Sequence, residues 1–480
     1  MSTLELSKGH DGPLRALAHH NFRMFYFGQL LSLIGSWMQG LAQSWLILVL
    51  ADPEAARFVL HHGGDATGAV NTATHAVQAT ANRYQGWISF LQGLPLLGLL
   101  LFAGVLIDRV NKRKLLIVTQ IGFMLCALTV GLLIRFGVAQ ISQVMFIAFC
   151  VGLFLAFDMP ARQTFIVEMV GKKDLPSAVA LNSALFNSAR AIGPAVAGLL
   201  LASHVSLSTC FLANAASYLI VIACLFLMRG KNLGSPVPHP EGRVEMRFWE
   251  DIRAGARYVW NNHTTRNVLF LVGGLGLFAF SYNALIPTFV RYTLLPHATN
   301  AVQVKAFGFL EMVRGIGAFT AAVSFTLLSK PNRYKWYLIG GGLVSNGLLM
   351  VLAWAHSMSE AYCLMTVTTG GFILIFASAN TVMQMSIPDN LRGRVMAIYT
   401  LVFTGTGPIG SLMAGLIAQY AGVPWTIFGF ALVTIMIVIA VSFRPGGLAT
   451  IRFGEPVLHA VKVETQQHSE RSEEPAARLR

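Results

Sequence analysis

Gly104-Val105-Leu106-Ile107-Asp108-Arg109-Val110-Asn111-Lys112-Arg113-Lys114 is the stretch of this 480-residue chain that decides its fold. Its last seven residues hold one acid and four bases, and apolar runs long enough to cross a bilayer lie on either side. Charge this dense, directly after Leu94 to Ile107, predicts a tight loop at one membrane face. A connection so short makes the flanking helices antiparallel neighbours. It also places its cations where the cytoplasmic leaflet favours them.

Composition leads the same way. The chain is 55% hydrophobic and only 12% charged, with a mean hydropathy of +0.60. A water-soluble domain needs far more polar surface, so an all-α polytopic membrane protein is expected. About 20 apolar residues span a bilayer as a helix. Such runs lie near 24–50, 86–107, 115–135, 142–159, 178–203 and 209–228, then near 267–290, 304–329, 336–355, 361–382, 396–421 and 424–444. The ten-residue alternation of barrel strands is absent. The net charge of +14 would suit nucleic acid if it were spread evenly, but it is not. With the N-terminus inside, only Arg57, Arg83, Arg135, Arg291 and Lys305 fall outside. This asymmetry places both termini in the cytoplasm and makes the basic charge topological, so no nucleic-acid partner is expected. The five cysteines fall within predicted spans, which argues against a disulfide framework. The first twenty residues are polar and the first span is too long for the apolar part of a cleavable signal peptide, so that span is expected to direct insertion itself.

Four regions follow: a six-helix set over 1–228 with an external loop at 51–85, a linker over 229–266, a second six-helix set over 267–444, and a cytoplasmic tail over 445–480. The linker opens with the turn-rich Gly234-Ser235-Pro236-Val237-Pro238-His239-Pro240. Phe248, Ile252, Tyr258 and Trp260 then alternate with Arg247, Arg253 and Arg257, which predicts an amphipathic helix on the inner leaflet. The two sets look duplicated: Gly193-Pro194 with Gly198 in helix 5 recurs as Gly407-Pro408 with Gly410 and Gly415 in helix 11. Phe90-Leu91-Gln92 likewise recurs as Phe309-Leu310-Glu311, the weak internal repeat left by duplicated bundles.

The opening stretch resembles the loop between helices 2 and 3 of the major facilitator superfamily, with Asn111 where that pattern has Gly. Gln29 to Trp45, and the entry Arg392-Gly393-Arg394-Val395-Met396 to helix 11, resemble the subgroup that includes the enterobactin exporter. The resemblance covers nearly the whole chain and implies twelve helices in two six-helix bundles, with alternating access to a midplane site. It further implies exchange of substrate for protons. Gly104, Asp108, Arg109, Lys112 and Arg113 become gating residues by residue match, with Asp108 near the N-terminus of helix 11 and Lys112 paired to Asp158 at the inner end of helix 4. Charges that merely enforce topology are the plainer alternative. Helix 5 matches the antiporter signature in part, which favours export. The external loop is longer than the subgroup has, and is either a lid or a tolerated insertion.

Intramembrane charge is rare and points to function by default. Besides Asp158, three such residues stand out: Arg190 in helix 5, and Glu311 with Arg314 in helix 8. A static ion-pair network is the alternative reading. Family helices 1, 4, 7 and 10 would line the cavity, giving Gln39, Gln43, Tyr282, Asn283 and Asn380 as substrate contacts unless they only tie helices together. No metal cluster, cofactor motif, phosphate-binding loop or catalytic constellation is evident. The expected protein is a plasma-membrane exporter of drug- or siderophore-type small molecules, coupled to protons and monomeric. Uptake, lipid translocation, and a non-transporting scaffold or sensor are the alternatives.

Overall fold

The structure is a computed structural model that describes residues 14–61, 75–230, 248–388, 391–444 and 447–450. Every regular element among them is helical, as hydrocarbon requires when backbone groups have no water to bond. The first set of spans is α1 (His20–Ala51), α2 (His75–Arg109), α3 (Lys112–Arg135), α4 (141–170), α5 (172–202) and α6 (Leu207–Leu227). The second is α7 (His263–Leu294), α8 (Asn300–Leu328), α9 (Tyr334–Leu352), α10 (Met358–Ser386), α11 (Arg392–Ala421) and α12 (Val423–Phe443). Phe146, Leu327 and many other large apolar side chains stand exposed on the outside of this assembly, a surface that suits lipid.

α4 and α5 form one stretch of 62 residues, Ile141–Ala202, broken at Gly171 with φ 71° and ψ 172°. A straight helix of that length would run about 90 Å, three times the hydrocarbon thickness. Instead Gly137, just before it, faces Leu60, and Gly198 faces Gly308, whereas Asp174 meets Arg15 at the opposite end of the molecule. The break therefore makes two crossings from one helix. We call the end that carries the short helix Pro53–His61 the loop end, and the end where the chain enters and leaves the terminal end.

α2 begins at His75, well before the apolar run, so the 51–85 connection is shorter than the sequence suggests. Hydropathy does not register this extension because its polar residues are satisfied by neighbours. Asn82 donates to the Ala418 carbonyl, and Gln85 donates to that of Ser44 at 2.7 Å. Each set packs internally, and the sets meet along two seams, α2 with α11 and α5 with α8. Glycine allows the closest approach: a Cβ on Gly308 would stand 2.7 Å from the Cα of Gly198. α7 is irregular, with π-helical turns at Leu275–Ala279 and Phe289–Leu294 around a 3-10 turn at Phe280–Ala284. Pro287 removes a backbone donor within it.

At the terminal end the linker helix Phe248–Asn261 lies under α11, its Gly255 against Arg394 and Ile398. Tyr258 donates to the Ser386 carbonyl at 2.7 Å, and burial pushes its phenol up from the usual tyrosine value. Trp260 is exposed, with the Arg266 guanidinium 5.9 Å from its ring. The N-terminal segment docks nearby: Arg15 and His19 grip Asp174 at 2.9 and 2.7 Å. The His19 hydrogen bond, helped by Arg15, holds that carboxyl below the usual aspartate value.

Candidate substrate pathway

A cavity of about 570 Å³ runs through the first set of helices. It reaches from Ser44 and Ile47, toward the loop end of α1, to Gln29, Arg162 and Asn182 toward the terminal end. Amide and hydroxyl side chains are set into its walls among apolar ones such as Leu33, Ile88 and Phe123. Gln39 and Gln43 both face it, one turn apart on α1 as their spacing requires. Gln39 accepts from Asn214 of α6 at 2.6 Å, and Ser36 shares a hydrogen bond of 3.0 Å with Tyr218. These bonds tie α1 to α6, while Gln43, Gln92 and Asn182 make no side-chain hydrogen bond among the described residues and present their amides to the space.

Asp158 lines the same cavity, 3% exposed, and is fully engaged. One oxygen accepts from Thr119 and Gln120 of α3, each at 2.8 Å, and the other is held by Arg162 one turn along α4. Lys112 does not reach it. Its ammonium lies 2.9 Å from Glu168, near the terminal end of α4 and more than two turns beyond Asp158. The acid that answers Lys112 in this structure is therefore Glu168, because Lys112 opens α3 at the terminal end and Asp158 lies deeper. Arg113 donates to the Leu225 and Phe226 carbonyls, capping the last turn of α6. The surroundings of Gly104 and the side chains of Asp108 and Arg109 lie outside the described part.

The loop end is closed by contacts between the two sets. Asp52, just past α1, accepts from the backbone of Glu54 and Ala55 and so caps the helix Pro53–His61. Its second oxygen lies 3.7 Å from Arg291 of α7, and both side chains are fully buried. The Arg291 guanidinium sits 5.8 Å from the ring centre of Trp45, which stacks on Phe307 of α8 at 6.3 Å. Sequence reasoning sorted Arg291 among outside-loop cations. The signal it passed over was Asp52-Pro53-Glu54, an N-cap, N1 proline and early acid that together start a helix.

Other expected site residues fall elsewhere. Tyr282 and Asn283 do not line the cavity: the irregular α7 turns them toward Arg314 of α8, which donates to the Tyr282 hydroxyl at 3.2 Å and to Asn283. Arg314 also binds Glu311, one turn away. Arg190 belongs to neither pair; its guanidinium lies over Trp37 of α1, 5.7 Å from the ring centre. Asn380 of α10 is half-buried away from the cavity. Gly193 packs against α1 at Trp37 and Ile34, and the Pro194 carbonyl meets Gly308. Pro408 fills the space beside Gly93 of α2, while Gly407 faces open space.

A family profile described as transmembrane secretion effector matches residues 78–459. The chain is 25% identical over 364 residues to the multidrug efflux pump Tap of Mycolicibacterium fortuitum, covering 73% of this chain and 85% of that one. It is also 25% identical over 430 residues to the staphyloferrin A transporter of Staphylococcus aureus, covering 88% and 95%. Among solved structures, the nucleoside transporter NupG superposes with a TM-score of 0.63 at 10% identity, covering 88% and 98%. An auto-inhibited peptide transporter of the POT family gives 0.64 at 12% identity, covering 89% and 99%. At such identity these two speak for the fold alone.

Proposed function

Since this chain belongs to the transmembrane secretion effector family of major facilitator transporters, we propose that it exports small organic molecules of drug or siderophore type from the cytoplasm. Both curated relatives above carry transport names, one of them efflux. The observation that carries the reading is the amide-studded cavity, together with the Asp52–Arg291 and Trp45–Phe307 contacts that join the two sets at the loop end. A scaffold or sensor has no need of such a space.

The positive-inside asymmetry supports a cytoplasmic terminal end in the plasma membrane, so the cavity faces inward in this state. Alternating access then requires the α2–α11 and α5–α8 seams to part at the loop end while the terminal end closes. The Asp108–Arg113 stretch would form the inner closure, with the Lys112–Glu168 pair, which joins α3 to α4 within the first set, holding that stretch in place. The duplicated halves, 1–228 and 267–444, would rock as units about the linker in a monomer. Exchange for protons would supply the drive, with no enzymatic step. Inside-out vesicles loaded with this protein test the reading. Imposing a proton gradient, acid inside, should accumulate a fluorescent drug probe such as ethidium or a labelled siderophore, and collapsing the gradient should release it. Gradient-independent behaviour across a broad panel, equal to that of empty vesicles, refutes export.

A further inference from the structure

Among the described residues, every charged side chain buried outright in the spans has an opposite partner: Asp52 with Arg291, Lys112 with Glu168, Asp158 with Arg162, and Arg314 with Glu311. Arg190 does not. Half-buried in the middle of α5, it touches an aromatic ring and forms no salt bridge among the described residues. Glu311 is close enough for its field to reach Arg190 but is bonded to Arg314. Arg190, Arg314 and Glu311 together therefore leave one positive charge without an answer at mid-membrane depth. A guanidinium there is costly unless an anion joins it.

The position of Arg190 shows where that anion would come from. Asn182 and Phe186 line the cavity, and Arg190 follows them at i+8 and i+4 on the same face of α5. Phe186 meets Trp37 edge to face at 5.6 Å, and Trp37 is the ring that Arg190 covers, so a pair of rings links the cavity wall to Arg190. One residue on, Ala191 packs against Gly315 across the α5–α8 seam. Parting that seam and swinging these rings would bring the guanidinium to the cavity.

We propose that Arg190 is the anion-recognising group of the pathway, and that this protein carries organic anions, carboxylates above all. The fork of a guanidinium matches a carboxylate in two parallel hydrogen bonds. Gln43, Gln92 and Asn182 hold the polar remainder of the molecule through amides that are otherwise unengaged. A cationic substrate would add to the unanswered charge, and a neutral one would leave it. An anion also leaves the cell down an inside-negative membrane potential. The proposal rests on the transport reading above and narrows it to a substrate class.

Its test uses the purified full-length protein and matched probes: 2-naphthoate with 2-naphthamide, hippurate with hippuramide, and citrate with its triamide. Thermal stabilisation should report apparent affinities about tenfold or more in favour of each acid, as hydrogen bonds to a charged group imply. Arg190→Gln should abolish that ratio while still melting cooperatively, and Arg190→Lys, which keeps the charge without the fork, should retain part of it. The proposal is overturned if the amides bind as well as the acids, if no acid binds, or if the preference survives in Arg190→Gln. Counterflow of the same probes and of ethidium in proteoliposomes separates the two readings. Movement of neutral or cationic probes alone leaves transport standing and removes Arg190 from recognition, whereas no movement of any class removes both.

Discussion

At the residue scale, the carboxylate of Asp52 caps a helix with one oxygen and faces Arg291 with the other, and neither side chain reaches solvent. Removing one member of a buried ion pair strands the other and typically costs about 3–5 kcal/mol. Arg291→Gln should therefore lower the melting temperature sharply, and Asp52→Asn, which keeps the cap, should do the same by stranding the arginine. The double variant should recover much of the loss in a double-mutant cycle; additive losses would mean the two residues act independently. Asp174 offers a pH readout. Its folded pKa lies below the ordinary aspartate value, so its contribution is complete above about pH 4 and fades as pH falls below that. Hydrogen exchange across residues 14–19 should accelerate in that acid range, and Asp174→Asn should give the same acceleration at neutral pH. Unchanged exchange in Asp174→Asn would show that the segment docks by other contacts. None of these pairings was legible in the sequence, because each joins residues far apart in the chain. What could be read was the kind of residue worth watching. Asp158, Arg190, Glu311 and Arg314 were singled out as intramembrane charges; Asp158 with Arg162 and Glu311 with Arg314 are local pairs one helical turn apart, whereas the Tyr282 and Asn283 partners of Arg314 are set by the irregular turns of α7.

At the scale of the element, Gly171 governs how α4 turns into α5. Its φ of 71° with ψ of 172° lies in a region that only glycine enters freely, and a Cβ there would meet nothing within 4 Å. Gly171→Ala therefore isolates backbone strain from packing and should cost about 1–3 kcal/mol, read as a lower melting temperature with the cavity residues untouched. The seam glycines act oppositely, through contact alone. Gly308→Ala places a methyl 2.7 Å from the Gly198 Cα, which the closed α5–α8 seam cannot accept. A cysteine introduced at Phe307 in that background should be labelled faster by a membrane-impermeant maleimide than in the wild-type background; equal rates would show that the seam absorbs the methyl. Span positions were legible from hydropathy: runs near 115–135, 209–228 and 424–444 correspond to α3, α6 and α12 within a few residues. The early start of α2 and the breakdown of α7 were not, since hydropathy reports lipid contact and is blind to helix that continues into water or unwinds inside protein.

For the whole molecule, orientation is the property on which the transport scheme depends. Reporter fusions after Arg113 and Lys231 should read cytoplasmic and one at Gly63 external; the reverse pattern would invert the scheme and turn export into uptake. The helix Pro53–His61 then stands outside the cell. It is tied through Asp52 to the buried arginine of α7, and its Leu60 carbonyl lies beside Gly137 at the α3–α4 turn. Three parts of the protein that would move in the proposed cycle thus converge on this nine-residue helix, which stands apart from the cavity. That makes the helix a pharmacological handle: an antibody fragment gripping it would arrest the cycle from the external medium, with no need to enter the membrane or to compete for the cavity.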